Sequence, residues 1–228
     1  MKSFLVIGVG RFGRHLCKKL YELGYDVMAI DRNEDCIEPV LPYTLNSMIG
    51  DSTKSEFIKS IGVSNFDTCF VAIGDDFQTS LETTSLLSEC GAKYVVSRAS
   101  RDTQAKFLLR NGADEVVYPE RQLAEWSAIR YSSNNISNYI ELPGDNSIFE
   151  FKVPKDWIGK SILELEIRKK YNLNIMAIKL DGNWNMRINP SIIFEDEQSI
   201  LVYGENKDLE KFFEVESRNL NNGGKDRG

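Results

Sequence analysis

The stretch FLVIGVGRFGRHL, residues 4–16, constrains this chain more than any other. An apolar run of strand length passes through a glycine-rich turn into a segment with apolar residues at Phe12, Leu16, Leu20 and Leu23, a helical period. Gly8-x-Gly10-x-x-Gly13 at such a turn has the spacing of a dinucleotide-binding loop. Gly8 permits the tight turn, Gly10 lets backbone approach a phosphate with no Cβ in the way, and Gly13 lets the helix pack closely on the strand. The helix N-terminus then presents unpaired N–H groups and a partial positive charge to a diphosphate.

The alternation continues. Gly24 ends the first helix, and YDVMAID follows as a second strand. TLNSMIG, DTCFVAIG, AKYVVSRA and DEVVYP read as further strands, separated by helical segments at TKSEFIKSIG, DFQTSLETTSLLSECG and TQAKFLLRNG, with a last helix over 120–132. About six apolar strands alternating with helices predict an α/β fold, a doubly wound Rossmann-like parallel sheet covered on both faces. SSNNISN, residues 132–138, breaks the composition. Beyond it NYIELPG, SIFEFKVP, NIMAIKL and WNMRI read as strands, the last two joined by a tight Asp-Gly turn, and NPSIIFEDEQSILVYG as a final strand or two, with a short helix over about SILELEIRKKY and a closing helix at KDLEKFFE. The expected organisation is a nucleotide-binding domain over 1–134, a smaller α+β domain over 135–216 and a polar tail over 217–228.

Asp31 ends the second strand, 18 residues after Gly13. A carboxylate there accepts hydrogen bonds from both ribose hydroxyls and repels a 2′-phosphate, which favours NAD, ADP or ATP over NADP. Asp51, in IGDST, has two readings: a turn or cap before the next helix, and a polar group at the adenosine end of a ligand. Arg11 reads either as a solvated first-turn residue or as a contact to a terminal phosphate.

The groups that would turn this grip into catalysis are missing. Hydride transfer needs an acid or base beside the nicotinamide, and the one histidine, His15, lies in the first helix and reads as a packing or surface residue. Tyr203 and Lys207 have the x-x-x spacing of a catalytic pair, but across a strand end and a turn. Cys17, Cys36, Cys69 and Cys90 form no C-x-x-C pair, so a Cys/His zinc site is not expected. The formal net charge of −6 argues against nucleic acid as a partner. The chain begins on a strand pattern rather than a secretory signal, and no apolar stretch approaches the roughly 18 residues of a membrane span. With scattered thiols this fits the cytoplasm. The charges of ELEIRKK and EDEQ read as solvated faces, and Trp157 and Trp184 as core or interface anchors.

VIGVGRFG, VMAID, VAIG and RNGADEVVYPE together resemble the regulator-of-potassium-conductance domain found in cytosolic subunits of Trk/Ktr-type bacterial potassium-uptake systems. WIGKSILELEIR, NIMAIK and the LVYG ending of 196–204 resemble that family's C-terminal domain. The resemblance implies a peripheral regulatory subunit on the inner face of the membrane. It forms dimers and an octameric ring, and docks on a membrane-embedded potassium-translocating subunit. It implies ATP and ADP competing for the glycine loop, with ATP favouring conduction, and admits NAD or NADH at the same place.

Carried over, Gly8, Gly10, Phe12 and Gly13 form the phosphate loop, and Arg11 reaches the terminal phosphate, in some arrangements that of a neighbouring subunit. Asp31 holds the ribose, and Asp51, Ala72, Ile73 and Gly74 line the adenosine pocket, with Arg32 and Arg98 also in the nucleotide site. Glu120 falls near a dimer interface where some members place Mg2+ or another cation; its plain reading is a first-turn acid after Pro119. Some members bind cyclic di-AMP between C-terminal domains, and Arg168, Asn174, Ile175 and Pro190 match the positions expected there. The competing readings are an NAD-dependent oxidoreductase and a redox-sensing DNA-binding repressor.

Overall fold

The computed structural model describes residues 2–132 and 135–222, and the chain forms two compact units that divide at Leu123/Ala124. The middle of SSNNISN, 133–134, and the last polar residues, 223–228, lie outside the described residues.

The first unit is built on β1 (Ser3–Ile7), α1 (Arg11–Glu22), β2 (Asp26–Asp31), α2 (Glu34–Ile37), β3 (Asn46–Ile49) and α3 (Ser55–Ile61). It continues with β4 (Thr68–Val71), α4 (Phe77–Glu89), β5 (Val95–Arg98), α5 (Asp102–Arg110), β6 (Glu115–Val117) and α6 (Pro119–Ser132), a helix that crosses the division between the units. The strands form one parallel sheet in the order β3-β2-β1-β4-β5-β6. This is the doubly wound order, in which the chain reverses direction across the sheet between β1 and β4.

The unbroken apolar run of β1 follows from burial on both faces. Phe4 and Val6 pack with Cys17, Leu20, Ile37 and Val40 on one side, while Leu5 and Ile7 pack with Ile58, Leu87 and Val95 on the other. Glycine stops α1: Gly24 takes φ +80, its N–H donates to Tyr21 O at 2.9 Å, and Tyr25 N–H reaches Leu20 O at 3.2 Å. That is a Schellman turn, which feeds directly into β2. Between β2 and β3 lie α2 and a 3-10 helix over Glu38–Tyr43, neither of them expected from the sequence. Prolines 39 and 42 keep that segment from continuing as an α-helix.

The second unit contains β7 (Ile136–Leu142), β8 (Asn146–Lys152), α7 (Ile162–Leu165), α8 (Ile167–Tyr171), β9 (Asn174–Leu180), β10 (Asn183–Asn185), β11 (Ser199–Glu205) and α9 (Asn206–Asn222). Its sheet is antiparallel, in the order β10-β9-β11-β8-β7. In β8 and β11 every second residue is buried, as a sheet covered on one face requires. Phe149, Phe151, Ile200 and Val202 face a core completed by the fully buried Trp157 and by Leu209 and Phe212 of α9. Trp184 is instead 39% exposed, beside Lys179.

Two expectations here are corrected. SILELEIRKKY is not one helix. Leu165 and Ile167 are both buried, and two residues apart they would face opposite sides of a continuous helix. Glu166 takes φ +49, and the break turns both inward. WNMRI is a strand only to Asn185, whose Oδ1 accepts the Arg187 N–H at 3.0 Å and turns the chain away. The Asp181-Gly182 turn is as expected, with both residues at positive φ. A capping box opens α7: Glu164 N–H donates to Ser161 Oγ at 3.2 Å, and Ser161 N–H to Glu164 Oε2 at 2.7 Å. Ser161→Ala is expected to lower stability by about 1 kcal/mol, seen as a lower urea midpoint with an unchanged slope.

Candidate functional site

At the carboxyl ends of β1, β2, β4 and β5 lies a cleft of roughly 630 Å³. Ligands of open α/β sheets sit where the strand order reverses, and this cleft opens there. The glycine loop between β1 and α1 forms its floor. Gly8 adopts φ +88, and a Cβ would run into Ile73. At Gly13 a Cβ would overlap the Gly8 carbonyl, so only glycine lets α1 lie this close to the loop. A Cβ on Gly10 would meet no protein atom within 4 Å, so this backbone is open to the cleft.

The first N–H bonded back along α1 is that of Arg14, to Gly10 O at 2.9 Å. Helix geometry therefore leaves the N–H groups of Arg11, Phe12 and Gly13 without partners inside the helix, and Gly10 supplies no side-chain cap. The first turn carries no acidic residue. An anion fits this end.

Asp31 does more than the sequence suggested. Its Oδ2 accepts the Val9 N–H at 2.8 Å and its Oδ1 the Asn33 N–H at 2.9 Å, so it pins the glycine loop to the end of β2. Asp51 combines its two readings. Its Oδ1 accepts the Thr53 N–H at 3.0 Å and the Thr53 hydroxyl at 2.7 Å, a turn that leads into α3, and its residue also lines the cleft. Those Thr53 bonds hold its carboxyl below the usual carboxylate range. Asp76 caps α4 through Thr79, whose hydroxyl and N–H lower its carboxyl likewise.

Arg98 ends β5 and forms an ion pair with Glu120 in the first turn of α6, with its guanidinium against Gly74 and 6.0 Å from the centre of the Phe12 ring. The cleft thus gathers every residue the sequence analysis placed in the nucleotide site: Gly8, Gly10, Arg11, Phe12, Asp31, Arg32, Asp51, Ala72, Ile73, Gly74 and Arg98 along its walls, and Gly13 behind the loop.

Ser52, Asp75, Asp76 and Thr79 were not expected as site residues, yet each lines the cleft. The signal was available, since all follow the ends of β3 and β4, where such folds bind ligands. His15, read as packing or surface, is exposed on α1 one turn beyond Arg11 and also lines the cleft. Cys36 reaches it too, with its thiol pushed up by burial and by Asp31, while burial pushes Cys17 and Cys69 up to about 12. None of these three is placed to act as a thiolate.

Glu120 faces a guanidinium rather than other ligands. Among the described residues, no three His, Cys, Asp or Glu side chains gather as a metal site. Tyr203 donates to Asn146 Oδ1 at 3.1 Å and Lys207 pairs with Glu205, so their x-x-x spacing has no joint role. In the second unit Arg168 is exposed on α8, and Asn174 and Ile175 open β9. Pro190 lies in the loop after β10, where its carbonyl accepts the Leu163 N–H at 2.9 Å.

Residues 4–119 match the TrkA-N domain and residues 148–216 the TrkA-C domain. The chain is 37% identical to the Ktr system potassium uptake protein C of Bacillus subtilis, over 92% of this chain and 96% of that protein. It is 34% identical to the Ktr system potassium uptake protein A of the same bacterium, over 92% and 95%. Among solved structures, the GsuK channel superposes with a TM-score of 0.64 at 17% identity, over 91% of this chain and 38% of that one. GsuK bound to NAD and GsuK bound to ADP each superpose with a TM-score of 0.50, at 20% and 15% identity, over 96% and 57% of this chain and 39% and 34% of theirs. At these identities the likeness to GsuK is one of fold.

Proposed function

The chain belongs to the family of Ktr and Trk potassium-uptake proteins built from a TrkA-N and a TrkA-C domain, and from that premise and the geometry of the cleft we propose that it senses adenine nucleotides to regulate potassium uptake. Its relatives are transport proteins rather than enzymes, which sets the oxidoreductase reading aside. The observation that carries the proposal is the open Gly10 backbone beneath the uncapped end of α1, with the Asp31 carboxylate beside it. Those are the groups an adenosine joined to a diphosphate requires. NAD and ADP share that core, and both are named as ligands of GsuK.

In this reading ATP and ADP compete for Gly8, Gly10, Arg11, Phe12, Gly13, Asp31, Arg32, Asp51, Ala72, Ile73, Gly74 and Arg98, and NAD or NADH can take the same place. Three arginines and five carboxylates line the cleft, so a nucleotide polyanion arrives best with Mg2+ or another cation, for which Glu120 is a candidate contact. The partner is a membrane-embedded potassium-translocating subunit, with this chain peripheral on the cytoplasmic face as a dimer within an octameric ring. Among the described residues no helix is long and apolar enough to cross a membrane, which agrees with that placement. Cyclic di-AMP would engage Arg168, Asn174, Ile175 and Pro190 of the second domain, the boundary falling after residue 134.

A ligand regulates only if it binds one conformation better than another, and the number of phosphates supplies such a difference. Calorimetric titration of ligand-free protein with ATP, ADP, NAD and NADH tests this. The expected result is ATP and ADP competing for one site with different affinities. Binding of NAD and NADH alone would overturn phosphate-count sensing.

A further inference from the structure

The parallel sheet of the first unit ends at β3, and that edge is unguarded. Leu45 N–H bonds back to Val27 O at 2.8 Å, and Ser47 lies opposite Ala29 of β2. Alternate residues of a parallel strand bond to one neighbour, so the N–H and C=O groups of Asn46 and Met48 turn outward. Edge strands are commonly blunted by a charge, a proline or a bulge. Asn46–Ile49 carries no charge and no proline. The opposite edge, β6, instead opens on Glu115, whose carboxylate accepts the Tyr94 hydroxyl at 3.0 Å.

The side chains around the β3 edge are exposed and apolar. Leu45 is 71% exposed and Ile49 52%, both on the face where Ala29 packs with Val40 of the 3-10 helix. The 3-10 helix adds exposed Leu41, and Tyr43, whose ring lies 6.0 Å from that of exposed Tyr21. The charge there has one sign. Residues 33–53 contain Glu34, Asp35, Glu38 and Asp51 and no Lys or Arg. Glu34, Asp35 and Glu38 are all exposed. Of the nearest lysines, Lys18 and Lys19 pair with Glu22, and Lys54 with Asp51.

We propose that the β3 edge takes up, as an added strand, an extended segment in which Lys or Arg alternates with apolar residues, supplied by the cytoplasmic side of the membrane-embedded partner; this rests on the partner proposed above and gives it a surface. Cytoplasmic segments beside membrane spans carry an excess of Lys and Arg. The segment's backbone bonds to Asn46 and Met48, its apolar side chains cover Leu41, Leu45 and Ile49, and its cations meet the acids of α2 and the residue after it. A lipid surface is anionic, and those acids repel it. A second copy pairing edge to edge would bring the same acids and no base.

The probe is a fluorescein-labelled octapeptide of alternating lysine and valine, followed by fluorescence anisotropy and by hydrogen exchange of the protein. Binding should slow exchange at Asn46 and Met48. A copy N-methylated at every peptide bond keeps the side chains but has no strand donors, and should bind about tenfold more weakly or worse. Leu45→Thr with Ile49→Thr keeps strand propensity and lies outside the cleft. It should weaken the peptide about tenfold and leave the ATP titration unchanged. Glu34→Gln, Asp35→Asn and Glu38→Gln together should weaken the peptide about fivefold at low salt and less at high salt. The proposal is overturned if wild type does not bind the peptide, or if the N-methylated copy or an alternating glutamate-valine peptide binds as well. It is also overturned if the double variant lowers the sedimenting mass of the protein alone, which would put a second copy on the edge. Loss in that variant of phosphatidylserine vesicles that wild type carries down would overturn it too, in favour of a lipid contact. Failure of the nucleotide reading shows separately, as wild type that takes the peptide and binds no ATP.

Discussion

Gly10→Ala will weaken nucleotide binding by about 100-fold or more in a protein that still folds, and Gly13→Ala will damage the fold first. The two glycines lie three residues apart in one loop, and their missing Cβ atoms serve different partners. At Gly10 the backbone has φ −61 and ψ −161, a conformation alanine adopts, and its Cβ would meet no protein atom. The change therefore costs only what alanine loses against glycine as a helix cap, under about 1 kcal/mol. The methyl group would stand where a diphosphate must approach backbone N–H groups, so affinity for ATP, ADP and NAD should fall by about 100-fold or more.

At Gly13 the Cβ would overlap the carbonyl of Gly8, a backbone atom that cannot rotate away. Relief requires α1 to move off the loop. Overpacking of this kind costs about 1–3 kcal/mol, or a Tm lower by roughly 2–12 °C in a chain of this size. Thermal melts with and without ATP separate the cases. Gly10→Ala should melt near wild type and gain nothing from ATP, whereas Gly13→Ala should melt lower without any ligand. Normal ATP binding by Gly10→Ala would remove the diphosphate from the glycine loop.

The contrast shows which parts of the molecule the sequence could disclose. In the first unit the strands are continuous apolar runs because both faces are covered, and helices end at glycines that take positive φ, as at Gly24, Gly62 and Gly91. Both are local signals, and the elements predicted there all appear. In the second unit the decisive facts are tertiary. Nothing local to SILELEIRKKY announces that Leu165 and Ile167 must both reach the core, and only that demand breaks the helix at Glu166. The cleft divides in the same way. Gly8, Gly10, Gly13 and Asp31 stand out because their chemistry depends on spacing along the chain. The ion pair between Arg98 and Glu120 joins residues 22 apart across β6, and no periodicity links them. Even Asp31 was legible only as an acceptor for ribose, since its bond to Val9 N–H depends on how β2 lies beside β1.

That second role of Asp31 sets its own expected result. Asp31→Asn should weaken AMP, ADP, ATP and NAD by a common factor of about 100. Two losses combine. A neutral amide holds ribose hydroxyls less strongly than a carboxylate, by about 1 kcal/mol or more for each bond. The amide also keeps only one acceptor where Asp31 uses two, so either the Val9 or the Asn33 N–H loses its partner and the glycine loop slackens. Loss of the negative charge also removes the repulsion against a 2′-phosphate, so the preference for NAD over NADP should narrow. Calorimetry with the five ligands, together with circular dichroism to show that the sheet is intact, reads all three effects. A folded Asp31→Asn protein with unchanged affinities would place the ribose elsewhere. A loss confined to ATP would move Asp31 to the phosphate end of the cleft.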